Sequence, residues 1–232
     1  MPLPEIVTPT YELEVPSSKK KFKYRPFLVK EQKILILALE SNDTKEIIAA
    51  IEQIFKNCIK TRFKMSDLSI FDVEYIFLQL RGRSVQETIE IEVPCDDDPD
   101  VKVAVSFPVD DVKVHFPEGH EQNVKISEDI TVVMKYPNME YFAKVNFIEE
   151  EPDPFELVST CIDRVFQGEN DCGSFTSEEV KAWLESLTSD AFDKIQQFFE
   201  TIPVLKHEVT VTNPNTGKKT TAQIEGLVNF FG

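Results

Sequence analysis

Ala191-Phe192-Asp193-Lys194-Ile195-Gln196-Gln197-Phe198-Phe199-Glu200 is the stretch from which the architecture of this chain is read. Its apolar residues recur at spacings of three and four, the signature of an amphipathic helix, and Pro203 stops it. A hairpin follows, with strands His207 to Thr212 and Thr220 to Glu225 around the turn Asn213-Pro214-Asn215-Thr216-Gly217. The chain closes on Gly226-Leu227-Val228-Asn229-Phe230-Phe231-Gly232. Aromatic side chains this near a terminus would be wasted in water, so this end is expected to dock, either back onto the chain or into a partner.

Working towards the N-terminus, a second amphipathic pattern comprises Val180, Trp183, Leu184 and Leu187. It is preceded by a third, Phe155, Val158, Ile162 and Val165, and both predict helices. Thr176 and Glu179 have capping-box spacing at the start of one of them. Glu149-Glu150-Glu151-Pro152-Asp153-Pro154 reads as a junction. Between Val85 and that junction the period changes to two. Ile89, Ile91 and Val93, then Val101, Val103, Val105 and Phe107, then Val112, Val114 and Phe116, then Val124 and Ile126, then Ile130, Val132 and Met134 alternate with polar residues. Such spacing predicts an antiparallel meander.

Upstream, residues 10 to 27 alternate and contain prolines, reading as an extended arm or a short hairpin. Phe27 to Leu39 is an apolar helix. Asp43 starts another, whose face is Ile47, Ile51, Ile54, Phe55 and Cys58. A third runs from Ser66 to about Arg81 and is apolar nearly all round, which predicts the buried centre of an N-terminal module. The fold class is therefore α+β. Residues 1–84 hold an N-terminal arm and helical module, 85–150 an antiparallel β module, and 151–232 the C-terminal helices and terminal hairpin.

Charge is distributed unevenly over the 232 residues. Residues 1–84 carry 14 Lys and Arg against 11 Asp and Glu, whereas 85–232 carry 11 against 30, for a net charge of −16. Such acidity repels nucleic acid and suits either a solvated surface or the capture of a basic partner. Lys19, Lys20, Lys21, Lys23 and Arg25 form a local basic patch, a candidate contact for a partner. No basic-then-apolar leader follows Met1, and the longest apolar run, Ile34 to Leu39, is too short to be a transmembrane segment. The expected compartment is a cytoplasm.

Chemical sites are sparse. Seven glycines, at 82, 119, 168, 173, 217, 226 and 232, form no phosphate-cradling loop. His115 and His120 flank Pro117-Glu118-Gly119, expected as an exposed loop, and His207 opens a strand, with no nucleophile motif beside any of them. Cys58, Cys95, Cys161 and Cys172 form no Cys-x-x-Cys pair and read as core thiols rather than disulfides or zinc ligands. Asp96, Asp97, Asp98 and Asp100 crowd one turn, where calcium and ordinary turn preference are both open readings. Gly168 to Glu179 has the glycine, apolar and glutamate positions of an EF-hand. It offers Gly168 and Cys172 where two oxygen ligands belong, so the capping box explains it better. No enzyme, cofactor or metal is expected.

The order helix, Ile202-Pro203-Val204-Leu205, hairpin, Gly226-Leu227-x-x-Phe230-Phe231 resembles the base plate protein family of T-even-like contractile-tailed bacteriophages. Pro2-Leu3-Pro4, Thr8-Pro9-Thr10-Tyr11-Glu12-Leu13 and Lys20-Lys21-Phe22-Lys23-Tyr24-Arg25-Pro26-Phe27-Leu28-Val29-Lys30-Glu31 resemble the opening of the same family. In many relatives the terminal hairpin carries Cys-x-x-Cys at its turn, as in a zinc ribbon. Here those positions are Asn213-Pro214-Asn215-Thr216, so a metal staple is not implied. The resemblance implies a non-enzymatic protein of phage tail morphogenesis whose partners are other baseplate hub or tail proteins. It would be an assembly factor for the central hub or a permanent hub subunit of the virion, with a metal-binding module as the reading from another class. Because the resemblance concentrates at the two ends, Lys19, Lys20, Lys21, Lys23, Arg25, Phe230 and Phe231 are the expected partner-binding residues.

Overall fold

The computed structural model describes residues 7–85, 88–148 and 153–230. The chain divides into two compact units, residues 1–115 with 204–232, and residues 116–203. The division follows from strand pairing, since the C-terminal hairpin returns to a strand that precedes the second unit. The fold is α+β, with every named strand pair antiparallel.

The first unit begins with a hairpin, β1 (Tyr11–Glu14) and β2 (Lys21–Tyr24). Alternation places Leu13, Phe22 and Tyr24 inside and the charged residues outside. Backbone bonds from Arg25 N–H to the Cys58 carbonyl (3.0 Å) and from Lys60 N–H to the Lys23 carbonyl (2.7 Å) fasten β2 to the helices behind it. Helices α1 (Val29–Ser41) and α2 (Thr44–Cys58) meet at Asn42, which adopts the left-handed conformation (φ 51°). The Asp43 carboxylate caps α2 by accepting from Lys45 and Glu46 N–H.

Helix α3 (Ile70–Val85) is the centre of this unit, with Phe71, Val73, Ile76, Phe77, Leu78 and Leu80 at most 1% exposed. It starts four residues later than the apolar pattern suggests, because Met65–Asp67 forms a separate 3₁₀ turn. Asp72 in its first turn is buried and accepts from Ser69 N–H (2.9 Å), Ser17 N–H (2.9 Å) and Ser17 Oγ–H (2.5 Å), so one carboxylate starts the helix and holds the first hairpin's turn. Gly82 allows a close approach: a Cβ there would lie 2.6 Å from Val109 Cγ2.

Strands β3 (Thr88–Cys95) and β4 (Asp98–Pro108) form a hairpin around the acidic turn. The alternating segments do not continue as a single meander. A 3₁₀ turn at Val109–Asp111, with Val109 buried, ends the β4 ladder. Strand β5 (Lys113–His115) then pairs with β10 (Val204–Thr212), which pairs on its other edge with β11 (Lys219–Glu225). Helix α3 packs against β3, β5, β10 and the terminal 3₁₀ turn Leu227–Phe230.

The second unit holds β6 (Asn123–Lys125), β7 (Ile130–Met134), α4 (Met139–Ala143), α5 (Pro154–Cys161), β8 (Ile162–Gln167), β9 (Asn170–Asp171), α6 (Ser177–Glu185) and α7 (Ser189–Glu200). Its sheet runs β6-β7-β8-β9. Helices α5, α6 and α7 close over it around Val132, Met134, Val158, Leu184, Ile195 and Phe198. The helix expected to run from Phe155 through Val165 ends at Cys161, and Ile162 and Val165 lie on β8. The register between β7 and β8 slips between Val133 and Met134. The irregularity gives buried residues three apart on a strand, which imitates a helical period. The junction expected at Glu149–Pro154 falls largely on residues 149–152, outside the described ones; Asp153 caps α5, with Pro154 at its first position.

Candidate protein-interaction surfaces

The seven residues expected to meet a partner are in different environments. Lys19 and Lys20 sit in the exposed turn between β1 and β2, Lys19 in the left-handed region (φ 58°). Lys21 and Lys23 also point outward, but the hairpin register puts them opposite Glu14 and Glu12. Lys21 Nζ lies 3.1 Å from Glu12 Oε1. Two of the lysines therefore face carboxylates across the ladder.

Arg25 is not part of that surface. It is buried, its Nη1 and Nη2 donating to the two oxygens of Glu31 at 3.0 and 2.9 Å. Glu31 is wholly buried in the first turn of α1 and also accepts from Leu28 N–H (3.0 Å) and Asn57 Nδ2 (3.2 Å). Burial by itself would push the Glu31 carboxyl up. The Arg25 hydrogen bonds, the Leu28 amide and the charges of Arg25 and Lys30 outweigh it and hold the group below its usual 4.5. A guanidinium and a carboxylate in fork geometry are a structural pin here, not a contact for another molecule.

Phe230 is only 2% exposed, and its ring meets Phe107 edge-on at 6.4 Å. His207 lies 4.2 Å from the same Phe107 ring. The expected aromatic tail is thus a core plug at this position, because a phenyl ring gains more from the apolar surface of β4 than from water. Phe231 lies outside the described residues.

The turn that stands where relatives carry thiols is held by side-chain hydrogen bonds. Asn213 Oδ1 accepts from Asn215 N–H (2.8 Å), while its Nδ2 donates to Asp97 Oδ1 (3.1 Å). Thr216 Oγ donates to Asp97 Oδ2 (2.7 Å). The Asp97 carboxylate therefore ties the β3–β4 turn to the β10–β11 turn. Thr216 and then Asn213 hold its carboxyl below its usual 3.8. Among the described residues, no group of three or more His, Cys, Asp or Glu is arranged to hold a metal ion. The EF-hand-like segment carries a complete capping box: Glu179 accepts from Thr176 N–H (2.8 Å) and Thr176 Oγ–H (3.0 Å), and Glu179 N–H donates back to Thr176 Oγ (3.2 Å).

The histidines are also placed. His115 ends β5 and is exposed, as expected. His120 is half-buried instead of lying in an open loop. It is stacked with Tyr136 (5.7 Å) and bonded through Nδ1 to Thr201 Oγ (2.9 Å) and through Nε2 to Tyr136 OH (3.1 Å). Burial pushes its pKa below 6.5, so it is a neutral packing residue.

Two surfaces were not anticipated. Helix α1 exposes Val29, Ile36 and Leu37 at 81%, 47% and 54%. The run Ile34 to Leu39 carried that signal, since six consecutive apolar residues on a helix cannot all face one side. In the second unit a groove of about 230 Å³ is lined by Ile162, Val165, Cys172, Phe175, Val180 and Trp183, with Glu179 at its edge.

A family model described as T4 bacteriophage base plate protein matches residues 8–232. The chain belongs to that family. No curated protein and no solved structure matches it. As a baseplate protein it is expected to contact other proteins of the phage tail, and no helix among the described residues is long and apolar enough to cross a membrane.

Proposed function

We propose that this baseplate protein acts in assembly of the central hub, holding another hub or tail protein through surface contacts and catalysing no reaction of its own. The observation that carries this reading is the distribution of charge within the family framework. Residues 116–203 hold 6 Lys and Arg against 19 Asp and Glu, so one compact unit contributes −13 of the net −16. A strongly acidic unit repels copies of itself, stays soluble before assembly, and attracts a basic surface quickly but reversibly. The first unit also buries Tyr24, Phe55, Phe71, Phe77 and Phe230, which suits a factor that folds before it meets its partner.

On this reading the protein works in the host cytoplasm while tails are being built. Mass spectrometry of purified tails beside lysate from infected cells is the test. An assembly factor is abundant in lysate and scarce in finished tails. A copy number in tails equal to that of a hub protein would make it a permanent subunit and overturn the proposal.

A further inference from the structure

The outer face of α1 reads, along one stripe, Val29, Lys33, Ile36, Leu37 and Glu40, at spacings of i, i+4, i+7, i+8 and i+11. The inner face, Glu31, Leu35 and Ala38, is buried against the rest of the first unit. Helix α1 is therefore apolar on two sides, and among the described residues the outer one is left exposed at Val29, Ile36 and Leu37. Its charges have a pattern. Lys33 and Glu40 lie symmetrically about the point between Ile36 and Leu37, three residues from each, and both are exposed.

That symmetry identifies an occupant. We propose that the face is covered by the α1 helix of a second copy, running antiparallel across a two-fold axis between Ile36 and Leu37. In this arrangement Ile36 meets Leu37 of the other copy, and Lys33 of each chain meets Glu40 of the other at both ends. Seven residues of helix rise about 10 Å, so two ion pairs bracket one apolar patch. A parallel pairing would set Lys33 on Lys33 and Glu40 on Glu40, which like charges disfavour. A two-fold contact in which one patch meets itself is the commonest form of homodimer. The proposal is independent of the hub role, because it concerns only what α1 binds.

The contact is small. One face of a 13-residue helix buries less than the roughly 800 Å² per partner of a standard interface, so the dimer is weak, dissociating at about 10 µM to 1 mM. Sedimentation equilibrium on the full chain across that range reads it directly. The expected result is a monomer–dimer equilibrium that Leu37→Gln weakens about tenfold or more, with an unchanged melting temperature because the residue is exposed. Lys33→Glu and Glu40→Lys should each weaken it, and the double variant Lys33→Glu with Glu40→Lys should restore it. A chain that stays monomeric throughout overturns the proposal, as does a dimer indifferent to Leu37→Gln. Failure of the double variant to restore association overturns it too, since the antiparallel register requires the two charges to exchange roles.

Discussion

The two ends of the first unit invite comparison, because the same reasoning singled out both as contact surfaces and the structure treats them oppositely. At the N-terminal end, β1 and β2 put their apolar side chains inward and keep Lys19 and Lys20 in water. At the C-terminal end, Phe230 turns in against Phe107. The difference shows how position within an element decides between contact and core. A residue on a two-faced hairpin is assigned a side by the period of two, while a ring in a terminal turn takes whatever apolar surface is within reach. Arg25 shows the same rule for charge: at the end of β2 it enters the interior only because Glu31 stands ready to receive it.

The largest effect should come from emptying the C-terminal plug. Phe230→Ala removes a wholly buried ring from a site walled by β4 and α3, and is expected to cost about 3–5 kcal/mol in urea unfolding. A loss below about 1 kcal/mol would mean that the ring is dispensable to the core, restoring it as a candidate for contact with a partner.

At the other end, Glu31→Ala strands a buried guanidinium. The expected loss is about 3 kcal/mol, the low end for a broken buried pair because the Arg25 side chain keeps 11% of its surface in water. The double variant Glu31→Ala with Arg25→Met should recover part of that loss, since it no longer leaves a buried charge without its partner. No recovery would show that Glu31 matters for its bonds to Leu28 and Asn57 rather than for the charge it pairs.

Acid should act on both ends in the same direction. The Glu31 and Asp97 carboxyls are both held below their usual values, so each is more easily protonated in the unfolded chain. Their contribution to stability is full above pH about 4.5 and falls as pH drops through the lowered values of the folded state. Unfolding free energy measured between pH 6 and pH 2.5 should decline with acid, and the Glu31→Gln variant should decline less. An equal slope in that variant would assign the acid sensitivity to the N-terminal pin no longer.

Much of this was legible in the sequence, for reasons that differ by element. Helices α2, α6 and α7 and the terminal hairpin obey a single period and carry their own stop or cap signals, Asp43, Thr176, Pro203 and Gly217 among them. Local chemistry suffices there. Strand β8 was misread because a bulge spaced its buried residues like a helix. The pairing of β5 with β10 joins residues about ninety positions apart, and nothing local in Lys113–His115 announces it. The candidate site suffered from the same limit. A run of lysines is visible, but the glutamates across the ladder and the carboxylate waiting for Arg25 depend on register and tertiary packing. Conversely, the outer face of α1 was visible as an excess of apolar residues, and its meaning required knowing which side was already covered.

The smallest effect on stability, and the finest test of the comparison, comes from the lysines that remain outside. Lys19→Gln with Lys20→Gln should change unfolding free energy by less than about 0.5 kcal/mol, as exposed substitutions do. Lys21→Gln with Lys23→Gln should do the same, since surface pairs such as Lys21 with Glu12 contribute about 0–1 kcal/mol. Partner capture should separate them. Tagged protein incubated with infected-cell lysate, and the amount of any hub protein recovered, would be compared at low and high salt. Lys20 precedes the paired residues of β2, whereas Lys21 and Lys23 lie opposite Glu14 and Glu12, so neutralising the turn pair should weaken capture of an acidic surface more, and the gap should close as salt screens both. If the Lys21 and Lys23 variant is the weaker binder, the glutamates opposite them do not cancel their field. The binding surface would then be the outward face of the hairpin rather than its turn.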